Sequence, residues 1–165
     1  MKKRRLPYRT LLYMLLWLSI GLSSCVPTRQ LPAKQPKQST AFIQHKRLRK
    51  ACNEWLGVPY RYGGYSKRGI DCSGLTKQLL KEAYGISVPA RSAKDFYTIC
   101  RKKKLKNLKE GDLVFFRLPR PSDYHVGIYL GNLKFIHATT SKGVRIDNLT
   151  QPYYQKSFYK GGSLR

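Results

Sequence analysis

Acidic side chains are scarce in this chain of 165 residues: 8 Asp and Glu stand against 33 Lys and Arg, a formal net charge of +25. An imbalance of that sign favours an anionic partner, and nucleic acid, a membrane face and a cell-wall polymer are the classes to weigh. Histidine is rarer still. Its three residues, His45, His125 and His137, lack the close spacing of zinc ligands, so no metal and no cofactor is expected. No internal repeat is present, which sets aside repeat architectures. The one long apolar stretch, Leu11 to Leu22, has twelve residues and is too short to span a bilayer. It follows a basic run (Lys2, Lys3, Arg4, Arg5, Arg9), so residues 1–24 read as an export signal outside the fold.

That signal ends in Leu22-Ser23-Ser24-Cys25, which resembles the bacterial lipobox. Cys25 is therefore the expected lipidation site, anchoring the chain to a membrane of the cell envelope, expected to be the outer membrane on its periplasmic side. Residues 25–41 carry that cysteine and a stretch without periodicity, containing Pro27, Pro32, Pro36, glutamines and lysines. Such a tether spans about 20–25 Å as a flexible coil. An exported chain meets little nucleic acid, so none is expected as a partner. Attraction to an anionic membrane or wall polymer explains the remaining charge more simply.

Residues 42–165 form one domain, expected as a monomer and long enough to bury most of its apolar surface without staples. A first helix is predicted over Gln44–Leu56, with Leu48, Ala51, Cys52 and Trp55 on one face and His45 at the surface. A second follows Cys72, with Leu75, Leu79 and Ala83 at helical spacing, Asp71 or Ser73 as its N-cap and Gly85 as its stop. Ser92 opens a short third helix to about Ile99, and the basic cluster Arg101–Lys104 with Lys106 and Lys109 reads as a solvated loop. Strands follow at Leu113–Phe116, His125–Leu130, Lys134–Thr139 and Gly143–Leu149. Asp112, in the turn before the first of them, reads as a turn residue. Helices first and strands afterwards give an α+β fold, with N-terminal helices packed on one face of an antiparallel sheet.

Cys72 sits in the first turn of the second helix, where unpaired N–H groups and the dipole favour a thiolate. It is either an activated nucleophile or a small buried apolar residue. Gly74 would leave room for a substrate beside the sulfur. His125 and His137 lie on neighbouring strands, and the hairpin loop decides whether they share a face. A two-residue loop pairing Leu130 with Leu133 separates them, whereas a three-residue loop with Gly131 or Asn132 left-handed brings them together. Cys52 and Cys100 are left as either a disulfide or two buried free thiols.

Five blocks in order carry a family resemblance: Gly57-Val58-Pro59-Tyr60-Arg61-Tyr62-Gly63-Gly64, Asp71-Cys72-Ser73-Gly74-Leu75, Gly111-Asp112-Leu113-Val114-Phe115-Phe116, His125-Val126-Gly127-Ile128-Tyr129-Leu130-Gly131 and Phe135-Ile136-His137-Ala138. Together they resemble the NlpC-type peptidoglycan cysteine peptidases over about Leu48 to Leu149. The resemblance implies a papain-like α+β domain that cleaves stem peptides of the bacterial cell wall, after γ-D-glutamyl at a diamino acid. It implies Cys72 as nucleophile, His125 as general base and His137 as the residue that orients it. It also places Tyr60 beside the sulfur, and Asp71 and Ser73 join Tyr60 as expected substrate-binding residues. Glu110 departs from the family, which often has proline there. The rival expectations are an amidase or acyltransferase using the same thiol, and a non-catalytic wall-binding module.

Overall fold

The computed structural model describes residues 38–118 and 124–165, so the export signal, Cys25 and most of the tether lie outside the described residues. Helix α1 (Lys46–Trp55) buries Leu48, Ala51, Cys52 and Trp55, the face its spacing predicts. His45 is half-buried rather than a surface residue: it caps the helix, its Nδ1 accepting the Leu48 N–H at 3.2 Å. The carboxylate of Glu110 accepts the N–H groups of Gln44 and His45 at 2.8 and 2.7 Å. The residue that replaces the usual proline thus serves the start of α1, where donors are orphaned and negative charge is favourable.

The ordered domain begins earlier than residue 42. The side-chain amide of Gln38 both donates to the carbonyl and accepts from the N–H of Ile146, each at 2.7 Å. Thr40, buried, donates to Asn53 Oδ1 at 2.8 Å. Ile146 lies on an edge strand with free backbone groups, and one amide satisfies both. Residues 38–41, expected in the tether, therefore pack on the domain.

Helix α2 runs Cys72–Tyr84 with Gly85 left-handed beyond it (φ 68°), and α3 runs Ala93–Ile99 behind a Ser92–Asp95 capping box. A two-stranded ribbon, β1 (Tyr65–Ser66) and β2 (Gly69–Ile70), precedes α2. The main sheet has six antiparallel strands: β3 (Arg101–Lys103), β4 (Leu113–Arg117), β5 (Tyr124–Gly131), β6 (Lys134–Thr139), β7 (Gly143–Asn148) and β8 (Phe158–Ser163). Their spatial order is β3-β8-β4-β5-β6-β7. Part of the basic cluster is therefore an edge strand, not a loop, and its lysines protect that edge from further pairing. Lys103 is ion-paired with buried Asp112, whose Oδ2 also accepts the Lys109 N–H at 2.7 Å, so Asp112 is the turn residue its position predicts. Cys52 and Cys100 are both buried and both free.

The sheet is covered on both faces. Leu113, Phe115, Val126, Ile128, Ile136, Ala138, Val144 and Ile146 meet α1, α2 and α3 in the larger core. Val114, Phe116, Tyr129, Phe135 and Leu149 form a smaller core on the other face, under Tyr154 of α4 (Pro152–Ser157) and Phe158. The three N-terminal helices share one face as predicted, and the unpredicted C-terminal helix closes the other.

The hairpin between β5 and β6 follows neither loop considered from sequence. Gly131 pairs with Lys134 across a two-residue turn, Asn132 and Leu133, whose φ values of 50° and 58° mark a type I′ turn. A bulge at Leu130 then adds one residue to β5, so that Tyr129 pairs with Phe135 and Ile128 with Ile136. The bulge restores the register that a three-residue loop would have given. Leu133 holds a left-handed conformation that costs an ordinary residue about 1–2 kcal/mol. His125 and His137 consequently share a face. Among the described residues no helix is long and apolar enough to cross a membrane.

Candidate active site

Three elements converge on Cys72. Asp71 caps α2 through Oδ1, which accepts the Gly74 N–H at 2.7 Å, while its Oδ2 accepts the Gly63 N–H at 2.9 Å. One carboxylate thus ties the glycine-rich loop to the helix start. The loop comes so close that a side chain on Gly74 would lie 2.7 Å from the carbonyl oxygen of Gly64. The space expected there for substrate is filled by backbone. Tyr60 is bridged to Ile70, two residues before the cysteine, and packs on the larger core as Cys72 does. Ser73 is buried, with its hydroxyl 2.8 Å from Asp71 Oδ1 and 3.2 Å from the Arg91 carbonyl. Its hydroxyl is thus engaged internally, because the helix start turns it under the loop. Asp71 stays half-exposed.

The sheet opens to receive the thiol. Pairing between β5 and β6 covers only Ile128–Gly131, whereas β5 stays paired with β4 as far as Tyr124 and β6 with β7 as far as Thr139. Past the last rung shared with β6, the backbone of Val126 comes close enough to Cys72 to influence its thiol. Burial pushes the Cys72 thiol up to about 11, opposed by the N–H groups of Val126, Ser73 and Cys72 itself and reinforced by the Asp71 charge. At rest the group is a thiol, not the thiolate that its helix position alone predicts; desolvation outweighs the helix end.

Across the same opening, His125 Nε2 meets His137 Nδ1 at 2.7 Å. The pair is diagonal in the sheet, and Gly127 lies between His125 and Tyr129 on the face that receives the His137 ring. Desolvation, together with His137, pushes His125 down to about 3, and desolvation also lowers His137. Both rings are neutral at physiological pH. The array continues: His137 Nε2 lies 2.9 Å from Oδ2 of buried Asp147. Tyr154 donates its O–H to the same oxygen at 2.8 Å, and Arg145 donates Nε and a terminal nitrogen to Oδ1 at 2.9 and 2.7 Å. Desolvation works against the Asp147 carboxylate, but the hydrogen bonds from His137 and Tyr154 and the Arg145 charge prevail and hold it at about 2.

Sequence reasoning brings together Cys72, His125 and His137 and misses Arg145, Asp147 and Tyr154. A signal existed for the first two. Arg145 and Asp147 alternate along a strand in which Arg145 pairs with His137, so two charges face the histidines in a chain with few acids. Tyr154 had none, because it arrives from a helix that the sequence does not announce.

A cysteine at the start of a helix laid on an antiparallel sheet that carries two paired imidazoles is the arrangement of a papain-like fold. The chain belongs to the NlpC/P60 family, whose family model matches residues 57–162. It is 41% identical over 121 residues to a probable endopeptidase NlpC homolog of Haemophilus influenzae, covering 73% of this chain and 63% of that protein. It is 43% identical over 105 residues to the murein DD-endopeptidase MepS/murein LD-carboxypeptidase of Escherichia coli K12, covering 64% of this chain and 55% of that protein. The chain thus matches between half and two thirds of these relatives' lengths. An NlpC/P60 family protein from Bacillus cereus has the same fold, with a TM-score of 0.64 at 27% identity, over 78% of this chain and 41% of that one.

Proposed function

We propose that this protein is a cysteine endopeptidase of the cell envelope that cleaves peptidoglycan stem peptides through an acyl-enzyme on Cys72. The observation that supports it most directly is the His125–His137 pair, its nitrogens 2.7 Å apart, with His125 on the strand whose next residue, Val126, neighbours Cys72 at the start of α2. His125 Nε2 is engaged by His137, which leaves Nδ1 to act on the thiol. Proton transfer from Sγ to Nδ1 accompanies attack on the scissile carbonyl, and the two charges formed offset each other's desolvation. The N–H groups at the helix start, that of Cys72 included, hold the oxyanion. Imidazolium His125 returns its proton to the leaving amine, and water activated by the same ring releases the acyl group. Tyr60 and half-exposed Asp71 border the approach.

The bond we assign is γ-D-glutamyl to diamino acid, whereas the E. coli relative's name points to D,D and L,D bonds. Mass spectrometry of muropeptides incubated with the full chain distinguishes them. Scission at the assigned bond frees a fragment with a diamino-acid amino terminus, D,D scission only separates crosslinked stems, and Cys72→Ala abolishes either. Turnover undiminished in Cys72→Ala would overturn the mechanism. Hydroxylamine-trapped products without hydrolysis would indicate the acyltransferase instead, and sedimentation with peptidoglycan without turnover a binding module.

Membrane anchoring through Cys25, behind a removed signal of residues 1–24, completes the proposal. A fatty-acid probe should label the wild-type chain and not Cys25→Ala; label retained in the variant would sink the anchor.

A further inference from the structure

We propose that Asp147, clamped by Arg145 and Tyr154, is a positioning residue that fixes the tautomers of both histidines and so leaves His125 Nδ1 without a proton, as a base must be. The inference deepens the endopeptidase reading and rests on its assignment of His125 as base. It follows from counting protons along the array. An ionised carboxylate only accepts. His137 Nε2, 2.9 Å from Asp147 Oδ2, is therefore the nitrogen that carries hydrogen. A neutral imidazole has one such hydrogen, so His137 Nδ1 is an acceptor. It lies 2.7 Å from His125 Nε2, which must then be the donor. The proton of His125 sits on Nε2, and Nδ1 is the free base.

Direction, not charge, is what Asp147 supplies. The guanidinium of Arg145 binds Oδ1 at 2.7 Å, so the carboxylate reaches the histidines largely neutralised. Tyr154 adds the second donor on Oδ2, and its ring is itself held by packing on Phe135 and Phe116. Arg145 has a second consequence, because a guanidinium donates and never accepts. In Asp147→Asn the introduced amide cannot turn its NH2 toward Arg145. The NH2 is forced toward His137 and Tyr154. His137 must then accept at Nε2 and donate from Nδ1, His125 must accept at Nε2, and its proton moves to Nδ1, where a base is required. Asp147→Ala imposes no such reversal.

The ordering of the two variants separates this role from packing. A residue that only fills space is replaced better by asparagine than by alanine; a residue that sets direction is not. Two readouts on the full chain test it. In 15N-histidine NMR of the wild type, both rings should be neutral with hydrogen on Nε2, a measurement that needs no turnover. In muropeptide cleavage, Asp147→Asn should lose about a hundredfold in kcat/KM and Asp147→Ala about tenfold, within the range for residues that orient a reacting group. Arg145→Ala added to Asp147→Asn frees the amide to turn and should recover activity toward the alanine level. Hydrogen on Nδ1 of His137 in the wild type overturns the proposal, as does an alanine variant at least as impaired as the asparagine one. If no muropeptide is cleaved by the wild type, the endopeptidase reading fails and the tautomers alone decide the positioning role.

Discussion

His125→Ala is expected to lower kcat/KM for muropeptide cleavage by several powers of ten, and His137→Asn by about a hundredfold or less. The inequality follows from which ring touches the reacting atoms. In the proposed mechanism His125 accepts the thiol proton and returns it to the leaving amine, and the ring beside it, His137, is already engaged by Asp147. Breaking a nucleophile–base unit removes most of the catalytic advantage at once. His137 acts through His125, and an asparagine carbonyl can still accept from His125 Nε2, preserving tautomer and tilt. Reactivity of the sulfur gives an independent measure. With the thiol held near 11 and the imidazole near 3, neither is charged at rest, and alkylation by iodoacetamide below neutral pH relies on His125 taking the proton as sulfur attacks. Alkylation of Cys72 should slow sharply in His125→Ala and change little in His137→Asn. The opposite order, in both turnover and alkylation, would exchange the roles of the two histidines.

What the sequence makes legible here is whatever local spacing dictates. Helices α1, α2 and α3 are announced by apolar recurrence, and α2 and α3 also by end residues: of the two candidate caps of α2 Asp71 is the one used, while Gly85 and Ser92 act as read, and the His45 cap of α1 was not foreseen. Strands β4 to β7 follow from short apolar, β-branched and aromatic runs bounded by turn residues such as Gly111-Asp112 and Gly131-Asn132, as suits a sheet buried on both faces. The strand β8 is silent because Lys160, Gly161 and Gly162 are poor strand formers, held there by two neighbours, β3 and β4. Site features that depend on long-range closure are legible only in part. That two histidines might meet was visible; that they do depends on a bulge at Leu130, which no local rule places. One spacing serves several purposes: Gly74 makes room for a loop rather than a ligand, and Ser73 turns its hydroxyl inward. The thiol was misjudged through electrostatics: the helix end is local, whereas the desolvation that outweighs it comes from the assembled sheet.

Gly127→Ala is expected to cripple the proposed muropeptide cleavage without touching any group that carries chemistry. A Cβ at Gly127 would lie 2.7 Å from the carbonyl oxygen of Ile136, 3.0 Å from Cδ2 of Phe135 and 3.2 Å from Cβ of His137. The first contact is with backbone and cannot be relieved by rotating a side chain. Relief requires β6 to move from β5 at the point where their pairing ends. His137 travels with β6 and His125 with β5, so the added methyl drives apart the two nitrogens that now stand 2.7 Å from each other. A misplacement on the order of 1 Å at a catalytic pair costs about a hundredfold in rate, and overpacking a well-filled site costs about 1–3 kcal/mol of stability. Gly127→Ala should therefore lose about a hundredfold or more in kcat/KM while melting only several degrees lower and remaining folded at assay temperature. Folding can be verified by near-UV circular dichroism on the same sample. Activity within a few-fold of wild type, with an unchanged melting temperature, would mean that the strands absorb the methyl and that the contact between the histidines is not what sets the rate.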